Sequence, residues 1–280
     1  MKKILVPTDF SKNAEHALQI AAAIANKTKT KLEILHTNTA MAYAAPLPEY
    51  SAADQFDMTD YYTMAAEQLY GIKKELSAQY PELEIETRVE EGFLYSSIRR
   101  TASEDDADLI VMGTKGASGA TEFFVGSNTE KVIRTSTCPV LSVPELSDVI
   151  FEPKTVVLPT TLKADQTKAF KAIAEWQQFF PLEVKILYLN NPAGLDDDKE
   201  IGQFADQIAK ETGLKNYNLF ASSNTFNEEA AIIEFAREEN ADLIVMGTHQ
   251  RRGLSHLLFG SLTEDTVNHS PIPVLSVPLT

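Results

Sequence analysis

The sequence predicts two tandem doubly wound α/β domains, and three observations carry that prediction. The phrase Ala107-Asp-Leu-Ile-Val-Met-Gly-Thr114 returns unchanged as Ala241-Asp-Leu-Ile-Val-Met-Gly-Thr248, displaced by 134 residues. At the same displacement Gly126-Ser127 returns as Gly260-Ser261, and Pro139-Val-Leu-Ser-Val-Pro144 as Pro273-Val-Leu-Ser-Val-Pro278. Three blocks in one register mark a duplication. Within each copy, short apolar runs bounded by turn residues alternate with helical periodicity, the pattern of a parallel sheet covered by helices on both faces.

The elements of the first copy follow in order. Residues 3–8 form a short apolar run that Pro7, Thr8 and Asp9 bring to a close. Ser11 then caps a helix in which Ala14, Ala17, Leu18, Ala21, Ala22 and Ala25 repeat at helical spacing. A second strand is expected over residues 32–37, a helix over much of 57–78 and a third strand over 83–89. A helix at 93–103, a fourth strand at 108–113, a helix at 127–136 and a fifth strand at 140–143 complete the copy. The second copy opens with Val157-Leu-Pro-Thr-Thr161 against Leu5-Val-Pro-Thr-Asp9, a displacement of 152. The first copy therefore carries about 18 extra residues between its early and late blocks. Residues 38–60, with Pro46, Pro48 and many small side chains, are the expected place, a long surface connection or a cover over a site. The copies meet near residues 145–153, giving domains at 1–146 and 153–280.

Composition narrows the partners. A hydrophobic content of 44% in 280 residues suits two well-cored domains. The formal charge of −15 speaks against duplex nucleic acid and anionic membranes, since both are recognised by concentrated Lys and Arg. The N-terminal apolar run halts at Pro7 and falls short of a secretory signal, and no stretch reaches the length of a membrane helix. The expected compartment is the cytoplasm. Cys138 is the single cysteine and aligns with Ile272 of the second copy, so it reads as a buried small hydrophobe. His249, His256 and His269 have no companion cysteine or carboxylate pattern, and no zinc site is expected.

Open parallel sheets bind ligands beyond the carboxyl ends of their strands. In the first copy those ends are Pro7-Thr-Asp9, Thr37 and the loop that leaves Met112-Gly113. Gly113, Gly116 and Gly126-Ser127 stand as G-x2-G-x9-G-S. Glycines let backbone N–H groups approach phosphate oxygens, and Ser127 would open a helix whose N-terminus favours an anion. Lys115 is either a further cation or a solvated side chain. Tight turns alone also explain such glycines, and Asp9 has a second possible role as a helix cap.

This pattern resembles the ATP-binding signature of the universal stress protein family. Lys-Ile-Leu-Val-Pro-Thr-Asp, Asp-Leu-Ile-Val-Met-Gly and Cys-Pro-Val-Leu-Ser-Val-Pro resemble that family as well, once per copy. The resemblance implies a five-stranded parallel sheet in the order 3-2-1-4-5 with helices on both sides. It implies that Asp9 contacts the ribose or adenine side and that the Thr37 backbone reads adenine. Gly113, Gly116, Gly126 and Ser127 would receive ribose and phosphates, with Pro7 and Met112 flanking them. ATP, accompanied by Mg, is the implied cofactor. Thr37 departs mildly from the apolar residue usual there. The resemblance also suggests that the terminal strands of the two copies pair, making an internal pseudo-dimer, and that two chains associate further.

In the second copy Thr161 replaces Asp9 and Gln250 replaces Gly116, while Gly247, Gly260 and Ser261 remain. That copy reads as a degenerate site and a structural partner, although Arg251 and Arg252 follow the altered position. The function expected is an ATP-binding regulatory stress-response protein that signals to a protein partner. A slow ATPase or phosphotransfer enzyme and a nucleotide-free, chaperone-like protein are the alternatives. No Walker A sequence, nucleophile elbow or kinase signature supports a catalytic reading.

Overall fold

A computed structural model describes residues 1–38, 58–104, 107–114, 126–145, 151–162, 166–189, 198–222, 227–249 and 262–279. The first half runs β1 (Lys3–Thr8), α1 (Lys12–Thr28), β2 (Lys31–Asn38), α2 (Met58–Gln79), β3 (Ile85–Glu91), α3 (Leu94–Glu104), β4 (Leu109–Gly113), α4 (Ser127–Thr135) and β5 (Val140–Val143). The second repeats it as β6 (Thr155–Thr160), α5 (Thr167–Trp176), β7 (Glu183–Tyr188), α6 (Asp198–Thr212), β8 (Tyr217–Ala221), α7 (Glu228–Glu238), β9 (Leu243–Thr248), α8 (Leu262–His269) and β10 (Val274–Pro278).

The ten strands form one sheet in the order β3-β2-β1-β4-β5-β10-β9-β6-β7-β8. Each half is parallel and doubly wound in the order 3-2-1-4-5, and the halves join where β5 and β10 pair antiparallel. Leu141 faces Leu275, its own counterpart at the 134-residue displacement, so a local twofold axis passes through that pair.

Side chains alternate along each strand, and this alternation sorts the core into two layers. Ile4 and Val6, Ile34, Val111, Leu141 and Leu275 lie in one layer, which α1, α2, α5 and α6 cover. Leu5, Leu35, Ile110, Val140 and Val274 lie in the other, under α3, α4, α7 and α8. Both layers run without interruption across the junction between the halves. Burial on both faces is why the inner strands read as continuous apolar runs.

Local signals place the elements that build the site. Ser11 is the N-cap of α1, and its hydroxyl accepts the Ala14 N–H at 3.2 Å. Asn227 does the same for α7, accepting the Ala230 N–H at 2.9 Å. The third strand begins at Ile85, two residues later than expected. Leu83 N–H instead donates to the Tyr80 carbonyl in a turn, where its side chain still packs on the core. Hydrophobic burial does not require a strand there.

Candidate functional site

In each half the chain order reverses between the first and fourth strands, the crevice in which doubly wound sheets hold ligands. In the first half this crevice lies between the carboxyl ends of β1 and β4, with β2 beside β1. Pro7 is buried within β1, and Asp9 is exposed just beyond the strand. Asp9 Oδ1 accepts the Ser11 N–H at 3.0 Å, which tightens the turn between β1 and α1. Capping itself falls to Ser11, so the Asp9 carboxylate remains at the surface of the crevice. Phe10 completes the turn in the left-handed region at φ 61°, with its N–H on the Thr8 hydroxyl at 3.1 Å.

The fourth strand brings the glycines. Gly113 packs so closely on the first turn of α1 that an added Cβ would lie 3.0 Å from the Asn13 carbonyl oxygen. Its own carbonyl accepts the Thr129 hydroxyl of α4 at 2.9 Å. The Gly126 N–H donates to the Thr114 carbonyl at 2.7 Å. The segment that leaves β4 thus returns to its starting point before α4 begins. Gly126 is the N-cap position of α4 and provides no side-chain cap to the first turn. Met112 is buried in the layer under α3 and α4, so it forms the floor and not the polar wall of the crevice. Thr37 is half-buried at the end of β2, opposite Glu90 of β3. Gly116 and Lys115 lie outside the described residues, as does most of the 38–60 connection.

Sequence reasoning missed an aromatic group beside these residues. His36 Nδ1 lies 2.8 Å from the Thr8 carbonyl, and Nε2 lies 2.8 Å from the Tyr61 hydroxyl on α2. The Phe10 ring sits against the imidazole, with centroids 4.4 Å apart. His36 is packed, hydrogen-bonded and buried. Its partners could not be anticipated, because Tyr61 follows the long connection and Phe10 depends on the left-handed turn. Next to it, Tyr62 donates its hydroxyl to Glu91 of β3, and that carboxylate pushes the phenol up to about 12.

The second half holds a cavity of about 240 Å3 at the corresponding place. Pro159, Thr161, Leu189, Met246 and Gly247 line it, the counterparts of Pro7, Asp9, Thr37, Met112 and Gly113. Gln166, Glu228 and His249 also line it, and none of them was singled out from the sequence as belonging to this site. The turn is preserved: Leu162 repeats the left-handed backbone at φ 54°, and its N–H meets the Thr160 hydroxyl at 2.9 Å. Gln250, Arg251 and Arg252 lie outside the described residues. No described helix is long and apolar enough to cross a membrane.

Comparison with known proteins agrees with this architecture. The chain matches a universal stress protein of Archaeoglobus fulgidus DSM 4304 over 99% of its length and 96% of that protein, with a TM-score of 0.77 at 19% identity. A universal stress protein of Pseudomonas aeruginosa UCBPP-PA14 matches over 99% of this chain and 93% of its own, with a TM-score of 0.66 at 14% identity. These two likenesses establish the fold. In sequence, a Staphylococcus aureus (strain USA300) protein named as a universal stress protein is 34% identical over 143 residues, spanning 51% of this chain and 83% of the relative. The sequence model of the universal stress protein family matches residues 1–144 and 226–278. With that match covering more than half of its length and once in each half, the chain belongs to the universal stress protein family.

Proposed function

We propose that this protein is an ATP-binding regulatory stress-response protein whose first half holds the nucleotide. The observation that carries the reading is the return of Gly126 to Thr114, next to Gly113 at the carboxyl end of β4, at the switch point beside the exposed Asp9. Asp9 would take a ribose or base donor, and the Thr37 backbone would face the adenine. Gly113, Gly116, Gly126 and Ser127 would receive ribose and phosphates, over a floor of Pro7 and Met112. The residues fit such a ligand: no Cβ stands at 126, and the dipole of α4 points its positive end at this place. Mg would arrive with the triphosphate and neutralise its charge, which matters in a chain of net charge −15. The two halves would be domains at 1–146 and 153–280, the second not taking the triphosphate and serving as the first one's structural partner. Ligand-dependent order in the loop after Gly113 would be what a protein partner reads. Two chains associating further and a cytoplasmic location belong to the same reading.

The test is thermal unfolding of nucleotide-free protein with and without millimolar Mg-ATP, beside Gly116→Gln, which copies the second half. At ~100 times its dissociation constant the ligand stabilises by about 2.7 kcal/mol, several degrees in the midpoint. A shift in the parent that disappears in Gly116→Gln supports the reading. No shift in the parent removes ATP binding from this protein.

A further inference from the structure

We propose that the second half is a binding site in its own right, one that selects a phosphate-free, hydroxyl-bearing nucleoside and rejects nucleotides. The inference goes beyond the first-half reading and stands whether or not that reading holds. Its cavity occupies the switch point of its sheet, the place where such folds hold nucleoside-like molecules. Leu189, Met246 and Leu262 supply an apolar wall suited to a flat heterocycle. Thr161 and Thr248 supply hydroxyls that both donate and accept, as sugar hydroxyls require, while the Thr263 hydroxyl is held by the Gly247 carbonyl at 3.4 Å. At about 240 Å3 the space lies below the usual range for larger ligands and suits a small one.

Two replacements, at 228 and 249, turn this site against phosphate, and a third at 166 fixes the end of β6. Gln166 stands where the first half has Ala14, and its Oε1 accepts the Thr161 N–H at 3.0 Å and the Thr160 hydroxyl. The backbone donor at the carboxyl end of β6, the counterpart of the Asp9 position, is therefore held by a protein acceptor. Glu228 lines the cavity where the first half has Leu94, placing an exposed carboxylate at its mouth. His249 lines it where the first half has Lys115. Among the described residues the lining holds no Lys or Arg at all. A carboxylate accepts hydroxyl protons and repels phosphate, so one residue supplies both the attraction and the discrimination.

The experiment is calorimetric titration of the full chain carrying Gly116→Gln with adenosine, AMP and Mg-ATP in turn. That background alters the phosphate loop of the first half, and Thr161→Trp assigns adenosine binding to the second, so failure of the ATP reading leaves this result untouched. Adenosine is expected to bind at one site per chain, with AMP about tenfold weaker. Thr161→Trp, which places a large side chain on the half-exposed cavity wall, should weaken adenosine by more than about tenfold. Glu228→Lys changes an exposed residue and should reverse the order, making AMP the tighter ligand. An absence of adenosine binding at millimolar concentration overturns the proposal. So does AMP binding as tightly as adenosine, or an adenosine affinity unchanged by both substitutions.

Discussion

Cys138 shows how one residue's environment fixes its chemistry. It is 8% exposed in the bend just before the fifth strand of the first half, and its thiol lies 3.5 Å from the Ser136 hydroxyl. Burial pushes the thiol up to about 11, the cause outweighing the hydrogen bond from Ser136, which acts in the opposite direction. Only the thiolate is a nucleophile, so Cys138 in the folded protein should resist alkylation at pH 8 and react fully after unfolding in denaturant. The same shift has a consequence for stability. A folded-state value above the thiol's ordinary 9.0 gives stabilisation that is complete below pH 9 and is lost as the pH rises toward 11. Cys138→Val, which substitutes an aliphatic residue as the second half does with Ile272, should flatten this alkaline loss by at most about 2 kcal/mol. Tyr62, pushed up to about 12 by Glu91, also destabilises the protein as it ionises, but it is present in both proteins and cancels from the difference. Urea unfolding at pH 8 and pH 10.5 measures the effect, and parallel curves for the two proteins would show the thiol does not couple to folding.

At the scale of elements, the crevice depends on how closely α1 approaches β4. Gly113 is the contact point, and the obstacle to a larger residue is the Asn13 backbone, at 3.0 Å from an added Cβ. At Gly247 the obstacle is the end of the Leu279 side chain, at 2.8 Å, which can rotate away. Gly113→Ala should therefore cost about 1–2 kcal/mol in denaturant midpoint, and Gly247→Ala less, despite the shorter distance. On the proposed reading Gly113→Ala should also weaken ATP, because a displaced first turn of α1 would shift the adjoining turn that holds Asp9. Equal costs at the two positions would mean that α1 is free to move. These contacts explain what could and could not be read from the sequence. The inner strands and α1 were legible because burial on two faces writes continuous apolar runs and burial on one side writes a helical repeat. The terminal pairing of Leu141 with Leu275 was suggested only by family resemblance, since no local pattern encodes which edge meets which. The second cavity was not legible. Gln166, Leu189 and Glu228 come from the starts of α5 and α7 and the end of β7, far apart in sequence, and comparison of the glycine motif alone passed over all three. Their counterparts Ala14, Thr37 and Leu94 differ from them in size or charge, and that difference acquires meaning only once the fold places the six positions at equivalent sites.

The whole molecule is organised about the antiparallel junction. Pairing β5 with β10 leaves β3 and β8 as the outer strands of the sheet, and β3 carries Glu86, Arg88 and Glu90 along its length. The charges on β3 discourage further pairing at that edge, while the apolar β5 and β10 are each covered by the other. Across the junction, Arg134 of α4 reaches Glu264 of α8, with Nε at 3.2 Å from one carboxylate oxygen and a terminal nitrogen at 2.9 Å from the other. The same guanidinium holds Glu130 at 2.7 Å, and Glu130 and Glu264 are counterparts at the 134-residue displacement. One arginine thus serves both copies of a glutamate, and it ties the helix that begins at the glycine loop of the first half to the helix that lines the cavity of the second. The Glu264 side chain is only 10% exposed, so losing the arginine removes a cation from a poorly solvated carboxylate beside Asp265, whose own carboxyl is pushed up by burial and by Glu229 and Glu264. Arg134→Ala should destabilise by about 2 kcal/mol, discounted from the value for a fully buried pair because the arginine is partly solvated. Pairing it with Glu264→Gln in a double-mutant cycle should return a coupling of about 1 kcal/mol that persists in 0.5 M salt, where an exposed pair would be screened. The parent should unfold in a single transition, since both core layers cross the junction, and Arg134→Ala should retain that single transition at lower temperature. Two resolved transitions in the variant would mean that the ion pair, and not the shared sheet and core, is what makes the halves fold as one.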